Sequence, residues 1–261
     1  MHILWAVTGF LVVTPLWWHN VSQSLAGVGV PPIVLPIGLV VLALYLYGHL
    51  QKRVLILAVP EDAWFAPANA DRLQYLDRGK LDAWSVEVES LGFVQQGDFT
   101  AASQQWMAAS LARIFFHAKE RCFCEVYQSR SPAGGTQPLR CTIMTLFDQG
   151  WTLATTTAVS NGYTSQLQRS KGIWSSHPLA PPCELLRIHL EKRDQMSAGI
   201  HLHPSPIATV DDYCTRVVQD LAEVGSLLRT KYSFAVLVEY VWFRLFPRTG
   251  YGRPYDVRNE Q

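Results

Sequence analysis

The first 50 residues of this chain carry no formal charge. From Met1 to Leu50 there is no Asp, Glu, Lys or Arg, so all 22 basic and all 21 acidic residues lie after that point. One charged side chain in the middle of a membrane-spanning helix costs about 2.5–3.5 kcal/mol, whereas water-facing surfaces are rich in charge. The missing charges exclude an ordinary soluble surface for this region and predict a membrane-embedded one.

Two apolar segments fit inside the uncharged region. The first covers residues 3–18 and ends in two tryptophans, and the second covers residues 30–48. Aromatic rings at segment ends are typical of the headgroup level, and each segment approaches the roughly 17–25 residues that span the hydrocarbon core. The polar link between them, residues 19–24, is short. The sequence therefore predicts a transmembrane helical hairpin within residues 1–50, with the lipid bilayer as a partner.

The charge beside the second segment predicts its orientation. Lys52 and Arg53 follow this segment directly, whereas the link carries no basic residue. The positive-inside rule places the large domain and both termini in the cytoplasm, as in a multi-pass protein of the cell membrane. A cleaved signal peptide is the alternative for the first segment, because Ser24-Leu25-Ala26 resembles a cleavage site. However, the basic residues that normally precede such a peptide are missing.

The chain also lacks the motifs of common enzyme classes. It contains no G-x-S-x-G, Walker A, G-x-G-x-x-G or H-E-x-x-H sequence, so those hydrolase, nucleotide-binding and metalloprotease types are excluded. Its five cysteines are an odd number without framework spacing, which predicts reduced thiols in a cytosolic setting. No cofactor is expected, and a net charge of +1 is too small to favour a nucleic-acid partner.

Hydrophobic periodicity predicts an α+β domain at residues 71–261, after a linker at residues 51–70. Apolar residues recur at helical spacing over residues 81–91, 182–196 and 210–228. Between the first two of these helices lie short segments rich in aromatic and β-branched residues, separated by turns. These predicted strands cover residues 93–100, 112–117, 122–128, 139–147 and 151–159. We expect a mostly antiparallel sheet flanked by helices, with the helices on one face.

Three cysteines are predicted to share one face of this sheet. Cys122 and Cys124 lie two residues apart on one strand, and Cys141 lies on the strand expected to pair with it. Three thiolates on one face have the chemistry of a zinc or redox site, but C-x-C is not the C-x-x-C spacing of zinc ribbons. Because free cysteine packs as a small hydrophobe, we favour a role in the core.

Histidines supply two further candidate sites. His201 and His203 share a face if their segment is extended, as two metal ligands would, although neighbouring prolines favour a surface loop. Cys183 lies in the first turn of a predicted helix, where the helix dipole favours a thiolate nucleophile. His177 or His189 would be its base, but no family signature surrounds them. The favoured interpretation is that neither set is a functional site.

The segment at residues 231–247 is the most apolar part of the predicted domain. Its apolar stretch is shorter than a membrane span and contains two charges, so a further span is not expected. Two interpretations stay open, namely a buried helix of the domain and an interfacial helix on the cytoplasmic leaflet. In the second, the membrane-surface residues are Arg229, Lys231, Trp242, Arg244 and Arg248.

These observations predict a membrane-tethered cytoplasmic module that binds or scaffolds and is not an enzyme. The absence of a recognisable catalytic constellation and the two apolar segments support this hypothesis. Its partner would be another protein or the membrane surface. The alternative is a membrane-associated enzyme that uses a Cys/His nucleophile or a His/Cys metal site.

Overall fold

The computed structural model describes Gly27 and residues 34–59, 64–102, 110–130, 135–159, 171–206 and 209–245. The first apolar segment, residues 3–18, lies outside the described residues. The same holds for Arg248 and for the side chain of Arg244. Of the predicted hairpin, the structure therefore describes only the second helix.

Among the described residues, seven strands form one sheet whose order follows the chain. They are β1 Trp64–Pro67, β2 Val94–Ala102, β3 Ser110–His117, β4 Cys122–Ser129, β5 Arg140–Leu146, β6 Thr152–Thr156 and β7 Gly172–Ser176. Neighbouring strands from β1 to β6 are antiparallel, and β7 lies parallel to β6. The prediction of an α+β fold with a mostly antiparallel sheet is confirmed.

Five α-helices accompany this sheet in the described part of the chain. They are α1 Val34–Ala58, α2 Arg78–Ser90, α3 Pro182–Ile200, α4 Val210–Thr230 and α5 Ser233–Leu245. Local capping explains where two of them begin. Proline opens α3, where the first turn needs no backbone N–H. At the start of α4, the Thr209 hydroxyl accepts a hydrogen bond from the Asp212 N–H and donates one to its carboxylate.

Helices cover both faces of the sheet, whereas the sequence favoured one face. α2 and α3 pack on the face that carries Phe115, Cys124 and Ile143. α4 packs on the other face through Tyr213, which contacts a cluster that includes Phe123. Burial on both faces explains why β5 is buried almost continuously instead of at alternate residues.

Two strands lie where the sequence predicts none. β1 falls within the range assigned to a linker, and β7 follows the last predicted strand. β1 has four residues and ends in Pro67, and β7 begins at Gly172, so neither shows a clear alternation of apolar and polar residues. Because β7 joins parallel to β6, no hairpin turn precedes it in the sequence.

α1 extends beyond the apolar segment that predicts it. The sequence places that segment at residues 30–48, whereas the helix continues past Lys52 and Arg53 to Ala58. Residues 51–58, assigned to a linker, are therefore helical. The apolar run at residues 54–59 continues the helix, and the next helix-breaking residue in the sequence is Pro60.

Candidate functional site

The three predicted thiols lie together in the core between the sheet and its α2–α3 layer. Cys122, Cys124 and Cys141 are fully buried, and the Sγ atoms of Cys124 and Cys141 are 3.5 Å apart. Burial raises the pKa of Cys122 to about 12 and that of Cys124 well above its ordinary value. The thiols of Cys122 and Cys124 are thus protonated and apolar, whereas zinc ligands and nucleophiles need the thiolate. This environment favours a packing role.

His189 is buried between α3 and the sheet, where it cannot serve as a base for Cys183. Its Nε2 lies 2.8 Å from Thr145 Oγ1 and its Nδ1 lies 3.0 Å from Thr155 Oγ1, so both ring nitrogens have partners. Burial is the main cause that lowers the pKa of His189 to about 3, with smaller contributions from nearby cations. The imidazole is therefore neutral and serves to attach α3 to β5 and β6.

The structure does not bring Cys183 and His177 together as a nucleophile and base. Cys183 is exposed at the start of α3, where its backbone N–H donates to Glu87 Oε1 at 3.2 Å. His177 Nε2 instead lies 3.0 Å from Ser175 Oγ. Burial lowers the pKa of His177, and the charge of Lys192 lowers it further.

His201 and His203 occupy the exposed turn after α3. His201 ends the helix in a left-handed conformation with φ of 51°, and the backbone of His203 exchanges hydrogen bonds with Asp148. The side chain buried in this turn belongs to Leu202, which is only 2% exposed. Across the described ranges, no group of three His, Cys, Asp or Glu residues is placed to hold a metal ion.

The first candidate functional element is α1. Its stretch Pro36–Leu57 is long and apolar enough to cross a membrane, by length and composition, and no other helix in the described ranges is. Only 11% of an 18-residue apolar window within this stretch is buried in the protein. A core helix of a soluble domain would have most of its apolar surface covered. In contrast, α1 exposes large side chains such as Val40, Leu44 and Leu57.

α5 packs along α1 and makes with it the most extensive helix–helix contact of the described structure. Ser233 Oγ lies 3.4 Å from His49 Nδ1, and Leu237 lies beside Gly48, where even a Cβ atom would come within 3.2 Å of it. Lys231 lies two residues before α5 begins, and it contacts Lys52, which lies further along α1. As the residue numbers increase along α5, the numbers of the contacting residues on α1 decrease, so the two helices are antiparallel.

Lys52 joins the two helices to the domain. Its Nζ donates hydrogen bonds to the backbone oxygens of Arg229 and Lys231, at 2.8 and 2.6 Å. These carbonyls end α4, where a cation complements the negative end of the helix dipole. Lys231 in turn forms an ion pair with Glu239 of α5. The basic residues of α1 and of the α4–α5 junction therefore lie where the apolar helix pair, α1 and α5, meets the domain.

The predicted membrane-surface residues separate into two groups. Arg229 and Lys231 lie at the junction between α4 and α5, and Trp242 is 53% exposed on α5. The buried side of α5, including Val236, belongs to a cluster with α1 and the end of α4. α5 therefore docks on α1 and α4 and does not cover the sheet, which leaves Trp242 and its apolar neighbours facing outward.

A cavity between the sheet and α4 is not indicated by the sequence pattern. It has a volume of about 190 Å³ and is lined by Glu125, Tyr127, Thr142, Met144, Thr152, Trp174, Val217, Asp220, Leu221 and Val224. Glu125 points away from the cysteine face of β4, toward α4, where Tyr213 OH donates to its Oε2 at 3.2 Å. The available signal was an acidic residue in the apolar first half of a strand, between Cys122-Phe123-Cys124 and Val126.

No protein family, curated protein or solved structure matches this chain. Its function is therefore argued from its own geometry. Two features of the described structure indicate a role beyond folding. They are the apolar helix pair formed by α1 and α5, and the cavity that contains Glu125.

Proposed function

We propose that this chain is a membrane-tethered cytoplasmic binding module. In this proposal α1 crosses the bilayer, α5 enters the same bilayer beside it, and the α+β domain stands at the membrane surface, free to bind a protein partner. The observation that carries the proposal is the arrangement of the apolar helix pair. Both helices turn unburied apolar side chains outward while they pack on each other.

The outward surface of the helix pair consists largely of exposed apolar side chains. On α1 it includes Ile37, Val40, Leu44 and many neighbours, and α5 adds side chains such as Phe234 at 60% exposure. Burying one large apolar side chain contributes about 1.5–3 kcal/mol. Lipid acyl chains are the surroundings that would cover this surface without requiring another folded partner.

The antiparallel contact changes the expected position of α5. The sequence allowed a helix lying flat on the leaflet, with its basic residues at the headgroups. Because α5 follows the axis of α1 through the Gly48 contact, a membrane-crossing α1 carries α5 into the apolar layer. The ion pair between Lys231 and Glu239 offsets the charge of the one acidic residue on α5.

The charge boundary supports a cytoplasmic position of the domain. Lys52 and Arg53 lie at the domain end of the apolar part of α1, together with Arg229 and Lys231 from the α4–α5 junction. Such a basic cluster is favoured on the cytoplasmic side, where anionic lipids contribute about 1 kcal/mol per basic residue. We further propose that residues 3–18 form a second span, which makes the chain a multi-pass protein of the cell membrane.

Alkaline carbonate extraction of membranes from cells that express the full chain tests this function. We expect the wild-type chain to stay in the membrane pellet. A variant with lysines in both proposed spans, Phe10→Lys and Val12→Lys in residues 3–18 with Val40→Lys and Leu44→Lys on one exposed side of α1, costs about 5–7 kcal/mol of insertion free energy per span, so it should shift to the supernatant. Release of the wild-type chain by carbonate would contradict the proposal.

A matched control comes from the domain. Leu179 precedes α3 and is 98% exposed, so Leu179→Lys also removes an exposed apolar side chain and adds a charge. Because this residue lies away from the helix pair, the variant should remain in the pellet like the wild type. Equal release of both lysine variants would show that extraction reports general damage and not loss of the span.

A further inference from the structure

The cavity at Glu125 exists because α4 leaves the sheet partway along its length. The first half of α4 packs on the sheet, through Tyr213 and Val217. In its second half Leu228 packs against α1 instead, and Val224 lies between that contact and the sheet. A wedge opens between the sheet and the middle of α4, and this wedge is the cavity of about 190 Å³. This volume is well above the roughly 10–15 Å³ that a single water molecule requires, so the cavity can hold a small ligand.

The two carboxylates that line the cavity differ in whether a cation neutralises their charge. Asp220 Oδ1 lies 3.0 Å from Arg216 Nε, and its Oδ2 accepts a hydrogen bond of 3.3 Å from Thr152. Glu125 receives one hydrogen bond, from Tyr213 OH, and has no ion-pair partner within the described ranges. A partly buried carboxylate without a cation is unfavourable, because the Coulomb attraction that would offset its desolvation is missing.

The remaining walls suit the apolar part of a small organic cation. Met144 from β5 and Val217, Leu221 and Val224 from α4 form an apolar side of the cavity. Trp174, on the outer strand β7, is 39% exposed and lines the same cavity. The face of an indole ring attracts cations, so an aromatic wall beside a carboxylate favours a positively charged ligand over a neutral one.

We propose that this cavity binds a small alkylammonium compound. The ammonium group donates hydrogen bonds to the Glu125 carboxylate, and the alkyl group lies against Met144 and Leu221. The site is formed by the sheet and α4 without any residue of the apolar helix pair. It therefore goes beyond the membrane proposal and stands or fails independently of it.

A proton competes with the ligand for Glu125. Burial raises the pKa of this carboxyl to about 7, and the Tyr213 hydrogen bond lowers it by less. The titratable groups that face it are Tyr127 on its own strand and Tyr213, Cys214 and Asp220 on α4. Tyr127, Tyr213 and Cys214 are neutral near pH 7, because burial raises the pKa of each. Binding of a cation therefore requires loss of one proton from Glu125 itself.

The test is calorimetric titration of the full chain in lipid nanodiscs with n-butylammonium chloride, with n-butanol as the uncharged probe of equal chain length. Empty nanodiscs correct for partition into lipid. We expect saturable one-to-one binding of n-butylammonium, at least about tenfold tighter than that of butanol, because the hydrogen bond to Glu125 is charge-assisted. Absence of saturable binding to the wild-type chain would overturn the proposal.

Glu125→Gln removes the negative charge but keeps an oxygen that accepts the Tyr213 hydrogen bond. Affinity should fall at least about tenfold in this variant. It should be unchanged in Glu223→Gln, which removes a carboxylate from the exposed side of α4. Equal affinity in Glu125→Gln, with an unaltered near-ultraviolet circular dichroism spectrum, would contradict the assignment.

Two further measurements keep the test decisive if Glu125→Gln does not fold. In the wild-type chain, affinity should rise about tenfold between pH 6 and pH 8, as the ionised fraction of Glu125 rises through its pKa of about 7. Leu221→Phe should weaken binding by filling the apolar side of the cavity without a change of charge. Binding that is independent of pH would place the probe elsewhere and overturn the proposal.

Discussion

Buried polar side chains of this domain are held neutral by their surroundings. His189 lies between two threonine hydroxyls, and the thiols of Cys122, Cys124 and Cys141 are enclosed by the sheet and its helices. Burial disfavours the charged form, so it raises the pKa of Cys122 and Cys124 and lowers the pKa of His189. These residues have the types found in catalytic and metal sites, but their protonation states suit packing and hydrogen bonding.

Replacing His189 by Gln should reduce the loss of stability in acid. The pKa of His189 is about 3 in the folded domain and 6.5 in an unfolded chain, so below pH 6.5 the unfolded state takes up a proton that the folded state does not. Its contribution to the free energy of unfolding is complete above pH 6.5. It falls by about 1.4 kcal/mol per pH unit as the pH decreases toward 3.

Urea unfolding of the full chain at pH 7 and pH 5 measures this effect. Between those values the wild type should lose about 2 kcal/mol more than His189→Gln, and His203→Gln, at an exposed turn, should behave like the wild type. The wild type must be compared with variants, because the contribution of Glu125 to the free energy of unfolding changes with pH in the opposite direction. The pKa of Glu125 is raised to about 7, so its contribution falls as the pH rises from 4.5 toward 7. An identical pH dependence in His189→Gln would contradict the buried neutral state.

Cys122→Ser should destabilise the domain by about 1–3 kcal/mol, because it places a hydroxyl in an apolar environment where it finds no ready partner. Cys183→Ser, at an exposed position, should change the free energy of unfolding by less than about 0.5 kcal/mol. Both values come from urea titrations. Elemental analysis provides the opposing outcome, since one zinc per chain that is lost in Cys122→Ser would reverse the assignment of these thiols to the core.

At the scale of elements, local pattern was enough to predict most of the sheet. β3 to β6 alternate or concentrate apolar residues between clear turns, and hairpins connect them in chain order. α2, α3 and α4 also follow the predicted helical periodicity. β7 could not be predicted in this way, because parallel pairing with β6 depends on a crossover instead of a local turn.

The candidate sites were harder to predict than the elements that carry them. Sequence spacing identified Cys122, Cys124 and Cys141 as neighbours, and the structure places them together. Spacing did not indicate the cavity at Glu125, because its walls come from four strands and one helix. The docking of α5 on α1 was equally hidden, since it depends on contact between segments almost 200 residues apart, as in the pair His49 and Ser233.

The contact between α1 and α5 depends on the small size of Gly48. A Cβ atom at this position would lie 2.8 Å from the backbone oxygen of Ser233 and 3.2 Å from Leu237 Cβ, so a larger side chain must displace α5. Gly38, in the same helix, has no atom within 4 Å of its Cβ position. Gly48→Leu should therefore separate the two helices, whereas Gly38→Leu should not.

Oxidative cross-linking measures that separation. The variant with His49→Cys and Ser233→Cys brings two thiols together, because the native side chains lie 3.4 Å apart. We expect a cross-link in this background, the same yield with Gly38→Leu, and at least about a fivefold lower yield with Gly48→Leu. An unchanged yield with Gly48→Leu would show that α5 does not depend on close approach at this glycine.

At the scale of the whole molecule, charge divides the chain into two environments. The basic residues of α1, Lys52 and Arg53, lie at its domain end, where Lys52 donates hydrogen bonds to the end of α4. Within the α+β domain, side chains of opposite charge form ion pairs, such as Arg113 with Asp98 and Arg193 with Glu120. This division predicts that the domain stays on the side of the membrane where positive charge is retained.

A topology reporter tests this orientation in the full chain. A reporter that is active only outside the cytoplasm should be silent when inserted between Gly134 and Gly135 of the domain, because the basic residues at Lys52 and Arg53 resist transfer across the bilayer. The same reporter fused after Ser24, in the link between the two apolar segments, should be active if residues 3–18 and α1 form a hairpin. Activity of the reporter inserted in the domain would reverse the orientation. Silence at both positions, with fusion proteins of equal abundance, would contradict the hairpin. If α1 crosses the membrane, one of its two ends must lie outside the cytoplasm, and the reporter on that side must be active.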